Sequence, residues 1–143
     1  MEAFLLSVHV VAGILFVGPV AVSTSLFPRY APAGRDGNLD TARLLYRITR
    51  VYGLLALAVP VVGLALAFVQ GRTTEIWVLI AMALTAGAGG LLALQIAPRQ
   101  REALDPPTEA ADLRRLGMLA GIFNLLWAVV VVLMIVRPGS DYV

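Results

Sequence analysis

Residues 3–28 read AFLLSVHVVAGILFVGPVAVSTSLFP, 26 consecutive positions without a formal charge. A bilayer hydrocarbon core of roughly 30 Å is crossed by about 20 apolar residues of helix, so this run is long enough to span one. Three more runs follow it. Residues 51–71, 76–98 and 116–136 hold 21, 23 and 21 uncharged positions, and the four runs together take up 91 of 143 residues. The pattern predicts an all-α transmembrane four-helix up-down bundle. Its helices run over about 3–27, 45–70, 76–97 and 110–136, in one integral membrane domain covering 1–143.

Composition agrees. Hydrophobic residues make up 59% and charged residues 14%, against ~25% charged in ordinary soluble domains. There is no cysteine, which excludes disulfides and thiolate metal sites. The abundance of Ala, Val, Gly and Leu, with arginine as the only strongly basic residue, fits a GC-rich bacterial coding sequence. A secretory signal would need a basic segment ahead of a short apolar core. Here Glu2 follows Met1 and the uncharged run is longer, so it reads as a retained helix.

Arginine placement predicts orientation. Arg29, Arg35, Arg43, Arg47 and Arg50 lie between the first and second runs. Arg99, Arg101, Arg114 and Arg115 lie between the third and fourth, leaving only Arg72 and Arg137 for the other side. Basic loops stay in the cytoplasm, so the expectation is N-out/C-out in a bacterial inner membrane. The arginines read first as topology signals and second as contacts for anionic lipid head groups. The acidic residues among them, Asp36, Asp40, Glu102, Asp105, Glu109 and Asp112, suit a solvated, ion-paired face. Asn38 and Asp40 precede an apolar pattern and predict a helix start. Asp105–Pro106 predicts another, because proline suits the first helical position.

The two halves resemble each other. Leu26-Phe27-Pro28-Arg29 ends the first run and Ile96-Ala97-Pro98-Arg99 ends the third, which suggests a parallel two-hairpin repeat about an axis along the membrane normal. Pro19 and Pro60 should kink their helices. Small residues form stripes: Gly53, Ala56, Pro60, Gly63 and Ala67; Ala81, Thr85 and Gly89; Gly117, Gly121, Asn124 and Ala128. Lipid supplies no hydrophobic drive for helices to meet, so small residues that admit close backbone approach do that work. The stripes are therefore expected to face the bundle interior, with a dimer seam as the alternative for the Gly117/Gly121 pair. Lipid bilayer is the expected partner, together with a homo-oligomer or a membrane complex, and nothing in the chain points to nucleic acid.

Chemistry-bearing residues are few. No Asp, Glu, Lys or Arg lies within a span, which argues against ion-coupled transport and against acid–base catalysis inside the bilayer. Asn124 is deep enough to need a partner. His9 is the only histidine. A buried imidazole is expected to be neutral, because desolvation disfavours the cation. A neutral imidazole can ligate haem iron or a metal, hydrogen-bond a quinone, or simply bond across the bundle. Gly13, one turn further on, is expected to leave room beside the ring. Counting rise per residue from the outer helix ends places Met82 and Trp127 at similar depth. Met82 is thus a candidate second axial ligand, and Trp127 an indole N–H donor or a lipid-facing residue. Trp77 reads as part of an interfacial aromatic belt.

The stretch His9-Val-Val-Ala-Gly13-Ile-Leu-Phe-Val-Gly18, followed by Pro28-Arg29, resembles the first helix of a group of small bacterial four-helix membrane proteins. The group includes an uncharacterised predicted integral membrane family, the copper-resistance D membrane proteins and the J-type protoporphyrinogen oxidases. Resemblance to the oxidase branch implies haem b at His9 and an alternative role as a haem-dependent membrane oxidoreductase. The spans hold no clear counterparts of the other polar and basic residues expected in that branch, and one His with no Cys gives copper transport no support. The expected function is non-enzymatic: an accessory or structural membrane protein holding a lipophilic cofactor, haem or quinone, near His9. A passive carrier would instead show a side-opening cavity lined by the small residues of the second and fourth helices.

Overall fold

The computed structural model describes residues 1–105 and 108–139. Among them the chain is helical, without strands. Four helices are long and apolar enough to cross a membrane: α1 Glu2–Tyr30, α2 Leu39–Gln70, α3 Ile76–Ala103 and α4 Ala110–Val136. Their outer surfaces are strongly apolar. Phe68 is 78% exposed and Leu94 74%, as suits side chains whose solvent is acyl chain rather than water.

The helix ends have local causes. The Asn38 side chain accepts a hydrogen bond from the Thr41 N–H and caps α2. Gly71, at φ 69°, closes the same helix, and the Arg72 N–H returns to the Ala67 carbonyl at 2.8 Å. Helix α4 begins at Ala110 with Glu109 before it, not at Asp105–Pro106. Asp105 instead sits in the turn that ends α3, its N–H on the Glu102 carbonyl, while Pro106 lies outside the described residues.

Prolines and π-turns break the helical phase. In α1 residues Gly13–Val17 form a π-turn ahead of Pro19. In α3 residues Leu92–Ile96 do the same ahead of Pro98. Such bulges re-aim every residue that follows. Helix α2 is interrupted at Ala56–Leu57, one turn before Pro60. The Ala56 carbonyl that Pro60 cannot satisfy accepts the Val59 N–H at 3.0 Å instead.

Three buried layers stack along the bundle. Phe27, Ala42, Leu45, Ala103, Leu113 and Leu116 form the layer by the loops that carry most of the arginines. Val20, Ala88, Ile96, Leu119 and Phe123 form the middle. Ala67, Trp77 and Val78, with Met82 and Met134 against them, form the far layer. These pairings make α1 antiparallel to both α2 and α4, and α3 antiparallel to α4, so the chain runs up and down four times. Between the first two layers lie buried hydroxyls: Ser23 and Thr49 are 2.8 Å apart, and each also bonds a carbonyl of its own helix. Buried hydroxyls in an apolar bundle have to be satisfied this way. Gln100, also fully buried, has neither amide atom hydrogen-bonded.

Candidate functional site

His9 is held from three sides. Its Nδ1 is 3.0 Å from the Val59 carbonyl of α2, and its Nε2 is 3.5 Å from Met134 Sδ of α4. A carbonyl can only accept, so Nδ1 carries the proton and donates. Nε2 then presents a lone pair to a sulfur that has no proton to give. Gly63 supplies the third contact. A β-carbon there would stand 2.8 Å from His9 Cε1 and 3.3 Å from Nδ1, so the ring occupies the space that a side chain at 63 would fill.

The glycine that makes room for the imidazole is thus Gly63, not Gly13. Gly13 starts the π-turn of α1 and has nothing within 4 Å of the place where its β-carbon would be. The thioether beside Nε2 is that of Met134, while Met82 lines the same cavity. No sequence signal pairs two residues 125 positions apart, and Met134 sits in an unbroken apolar run.

His9, Met82, Trp127 and Met134 do line one cavity, of about 110 Å³, at the end of the bundle away from the arginine-rich loops. A larger crevice of about 350 Å³ adjoins it and shares Pro60, Met82, Thr85 and Trp127. It lies between α2 and α3. Gly53, Ala56 and Pro60 form one wall and Ala86, Gly89 and Gly90 the other, with Phe123 and Trp127 of α4 behind. Helices α2 and α3 touch near both ends, where residues 39–55 meet 97–103 and residues 58–70 meet 76–91. The crevice occupies the length between, and its lining is almost wholly apolar. Its polar side chains are Thr85 of α3 and Trp127 of α4, whose Nε1–H is buried and has no acceptor. Its ring meets Phe123 edge-on, with centroids 6.2 Å apart. A buried indole N–H ordinarily finds a partner.

The small-residue stripes divide. That of α2 faces inward: Gly53 would bring a β-carbon to 3.1 Å from Leu92 Cδ2, and Ala67 is buried. On α3, Ala81 is buried while Gly89 is exposed at the crevice. On α4 the expectation of an inward stripe fails. Gly117 and Gly121 are exposed with nothing within 4 Å, because α4 buries Leu113, Leu116, Leu119, Ala120, Phe123 and Val130 instead. Asn124 is half-buried at the edge of that face, and its amide donates to Ser25 Oγ of α1 at 2.9 Å. Trp77 is also not a lipid-facing belt residue. It is 8% exposed, its indole N–H donates to the Glu75 carboxylate, and the Arg137 guanidinium stands 5.8 Å above its ring.

Haem b does not fit beside His9 in this fold. The space at Nε2 is about 110 Å³ and Met134 already fills the axial direction, whereas even modest ligand sites begin at about 300 Å³. The adjoining α2–α3 crevice, of about 350 Å³ and almost wholly apolar, does reach that class. No family model, curated protein or solved structure matches the chain.

Proposed function

We propose that this chain is a multi-pass protein of the bacterial inner membrane, non-enzymatic, that holds a small lipophilic ligand in the crevice between α2 and α3. The observation that carries the reading is the combination of an apolar crevice of about 350 Å³ with a buried, unpartnered indole N–H on its wall. Mostly apolar walls and one or two fixed polar groups are how ligand sites combine affinity with orientation. A donor without an acceptor selects a ligand with a carbonyl, and a quinone head group has the right size and chemistry. His9, tied to Val59 and facing Met134, acts in this reading as the clasp joining α1, α2 and α4 beside the site. The side opening is the feature a carrier would need, but the wall facing α2 comes from α3 rather than α4.

Detergent-purified protein incubated with a short-chain ubiquinone and then desalted is expected to retain it, as read by ultraviolet absorbance of the extract. Trp127→Phe should weaken retention about tenfold, the loss of roughly one ligand hydrogen bond. Equal retention by the wild type and the variant would remove Trp127 from the site. A Soret band in protein expressed with ample haem, abolished by His9→Ala, would favour the haem-dependent alternative instead.

The same reading places both termini outside, with nine of the eleven arginines in the cytoplasm. Because the chain has no cysteine, single substitutions report each side cleanly. Ala33→Cys should resist a membrane-impermeant maleimide in intact cells, and Thr74→Cys should react. The opposite labelling would invert the topology. Support for two parallel hairpins comes from the matched Pro28-Arg29 and Pro98-Arg99 endings. The outward Gly117/Gly121 pair is where a second copy or a partner subunit would pack.

A further inference from the structure

Three arginines on α2 enter none of the ion pairs found among the described residues. Those pairs are Arg29–Asp36, Arg35–Asp36 and Arg72–Glu75. Arg43, Arg47 and Arg50 recur at helical spacing on one exposed face of α2, and with Tyr46, Val51 and Leu54 they line a shallow cavity of about 390 Å³. The Arg50 guanidinium lies 5.9 Å above the Tyr46 ring, a contact that holds its planar fork in place. From Arg43 to Leu54 the helix rises about 16 Å. The cationic end thus passes directly into an apolar shelf, where Val51 is 47% and Leu54 68% exposed.

No carboxylate lines this cavity. The neighbouring groove, on the other side of Tyr46 and Arg50, holds Arg101 together with Glu102 and Asp105. That mixed charge does not select an anion, so the preference falls on the α2 face alone. Arginine forks match phosphate oxygens in pairs, and the apolar shelf below them matches an acyl chain. A soluble phosphate would use only the first half of this surface.

We propose that Arg43, Tyr46, Arg47 and Arg50 form a specific docking site for an anionic phospholipid of the cytoplasmic leaflet, its phosphate on the arginines and an acyl chain along Val51 and Leu54. The proposal rests on α2 crossing the bilayer at this level and is independent of the crevice ligand. The lipid joins the charged loop end of α2 to the membrane, a fixed anchor beside the helix whose next turns form the crevice wall.

The test is native mass spectrometry of detergent-purified protein titrated with phosphatidylglycerol, phosphatidylcholine or inorganic phosphate. Phosphatidylglycerol is expected to be retained about 25-fold more tightly than phosphatidylcholine, roughly fivefold for each of two engaged arginines. Arg47→Gln/Arg50→Gln should erase that preference. Arg114→Gln/Arg115→Gln, which removes the same charge from α4, should keep it. Arg47→Lys/Arg50→Lys provides a charge-preserving variant if the glutamine pair does not fold, and it should retain only part of the preference because the paired geometry is lost. Equal retention of the two lipids, survival of the preference in the Arg47→Gln/Arg50→Gln protein, equal loss in both glutamine double variants, or displacement of the lipid by inorganic phosphate at equal concentration would each overturn the proposal. Protein that stays dissolved without detergent would fail the membrane reading itself, before any lipid is added.

Discussion

Gly90→Leu is expected to empty the crevice while leaving the bundle folded. A β-carbon at Gly90 meets nothing within 4 Å, and the residue lies on the α3 wall of the cavity. The leucine side chain therefore grows into open space rather than into a neighbour. Glycine in a helix interior costs about 0.8–1.0 kcal/mol relative to better helix formers, so the substitution should hold or raise thermal stability by a few degrees. Retention of a short-chain ubiquinone should fall at least tenfold in the same preparation. Unchanged retention would place the ligand elsewhere. A lowered melting temperature would mean that α2 and α3 approach more closely than the crevice allows. The opposed signs of the two readouts make the test sharp, because a variant that simply unfolds loses both.

Gly63→Ala should behave in the reverse way. Helix propensity favours alanine by about 0.8–1.0 kcal/mol. Against that, the added carbon would sit 2.8 Å from His9 Cε1, a separation that forces the ring to move. Moving it breaks the Nδ1 bond to the Val59 carbonyl and leaves an N–H in apolar surroundings, at about 1–3 kcal/mol. Overpacking adds about 1–3 kcal/mol. The clash outweighs the propensity gain, and net destabilisation of about 1–5 kcal/mol is expected from thermal or denaturant unfolding in detergent. In a His9→Ala background the same substitution should become neutral or stabilising, since the atoms it strikes are gone. A coupling energy near zero in that double-mutant cycle would show that His9 and Gly63 do not share the space.

Several features were readable directly. The four uncharged runs correspond to long apolar helices, since ionisable groups are costly in the hydrocarbon core. Asn38 announced the start of α2 because a short polar side chain before an apolar pattern has few better uses than capping. The break before Pro60 followed from a missing N–H. His9 was picked out as the only histidine and Met82 and Trp127 by matching its depth, and the three line one cavity.

What was illegible depended on rotation and on distant partners. Gly13 and His9 are four apart and keep the regular helical relation, the Gly13 N–H on the His9 carbonyl, but the imidazole packs across onto Gly63 of another helix. Gly117 and Gly121 carry a packing motif and yet face outward, because the leucines and Phe123 of α4 fill the interior better. Trp77 looked like a belt residue from its position, but Glu75 two residues earlier and Arg137 from the other end of the chain draw it into the bundle. Val59 and Met134 could not be matched to His9 from one dimension.

By itself the chain's order of residues determined its count of long apolar helices, because the expense of placing charge in hydrocarbon is set locally, residue by residue. Which face of each helix turns inward was decided only by the tertiary structure. In lipid a leucine on the surface and a leucine in the core have nearly the same surroundings, so apolarity does not distinguish them. Shape, close contact and the few polar groups that must find partners choose the rotation, and those exist only once the four helices are together.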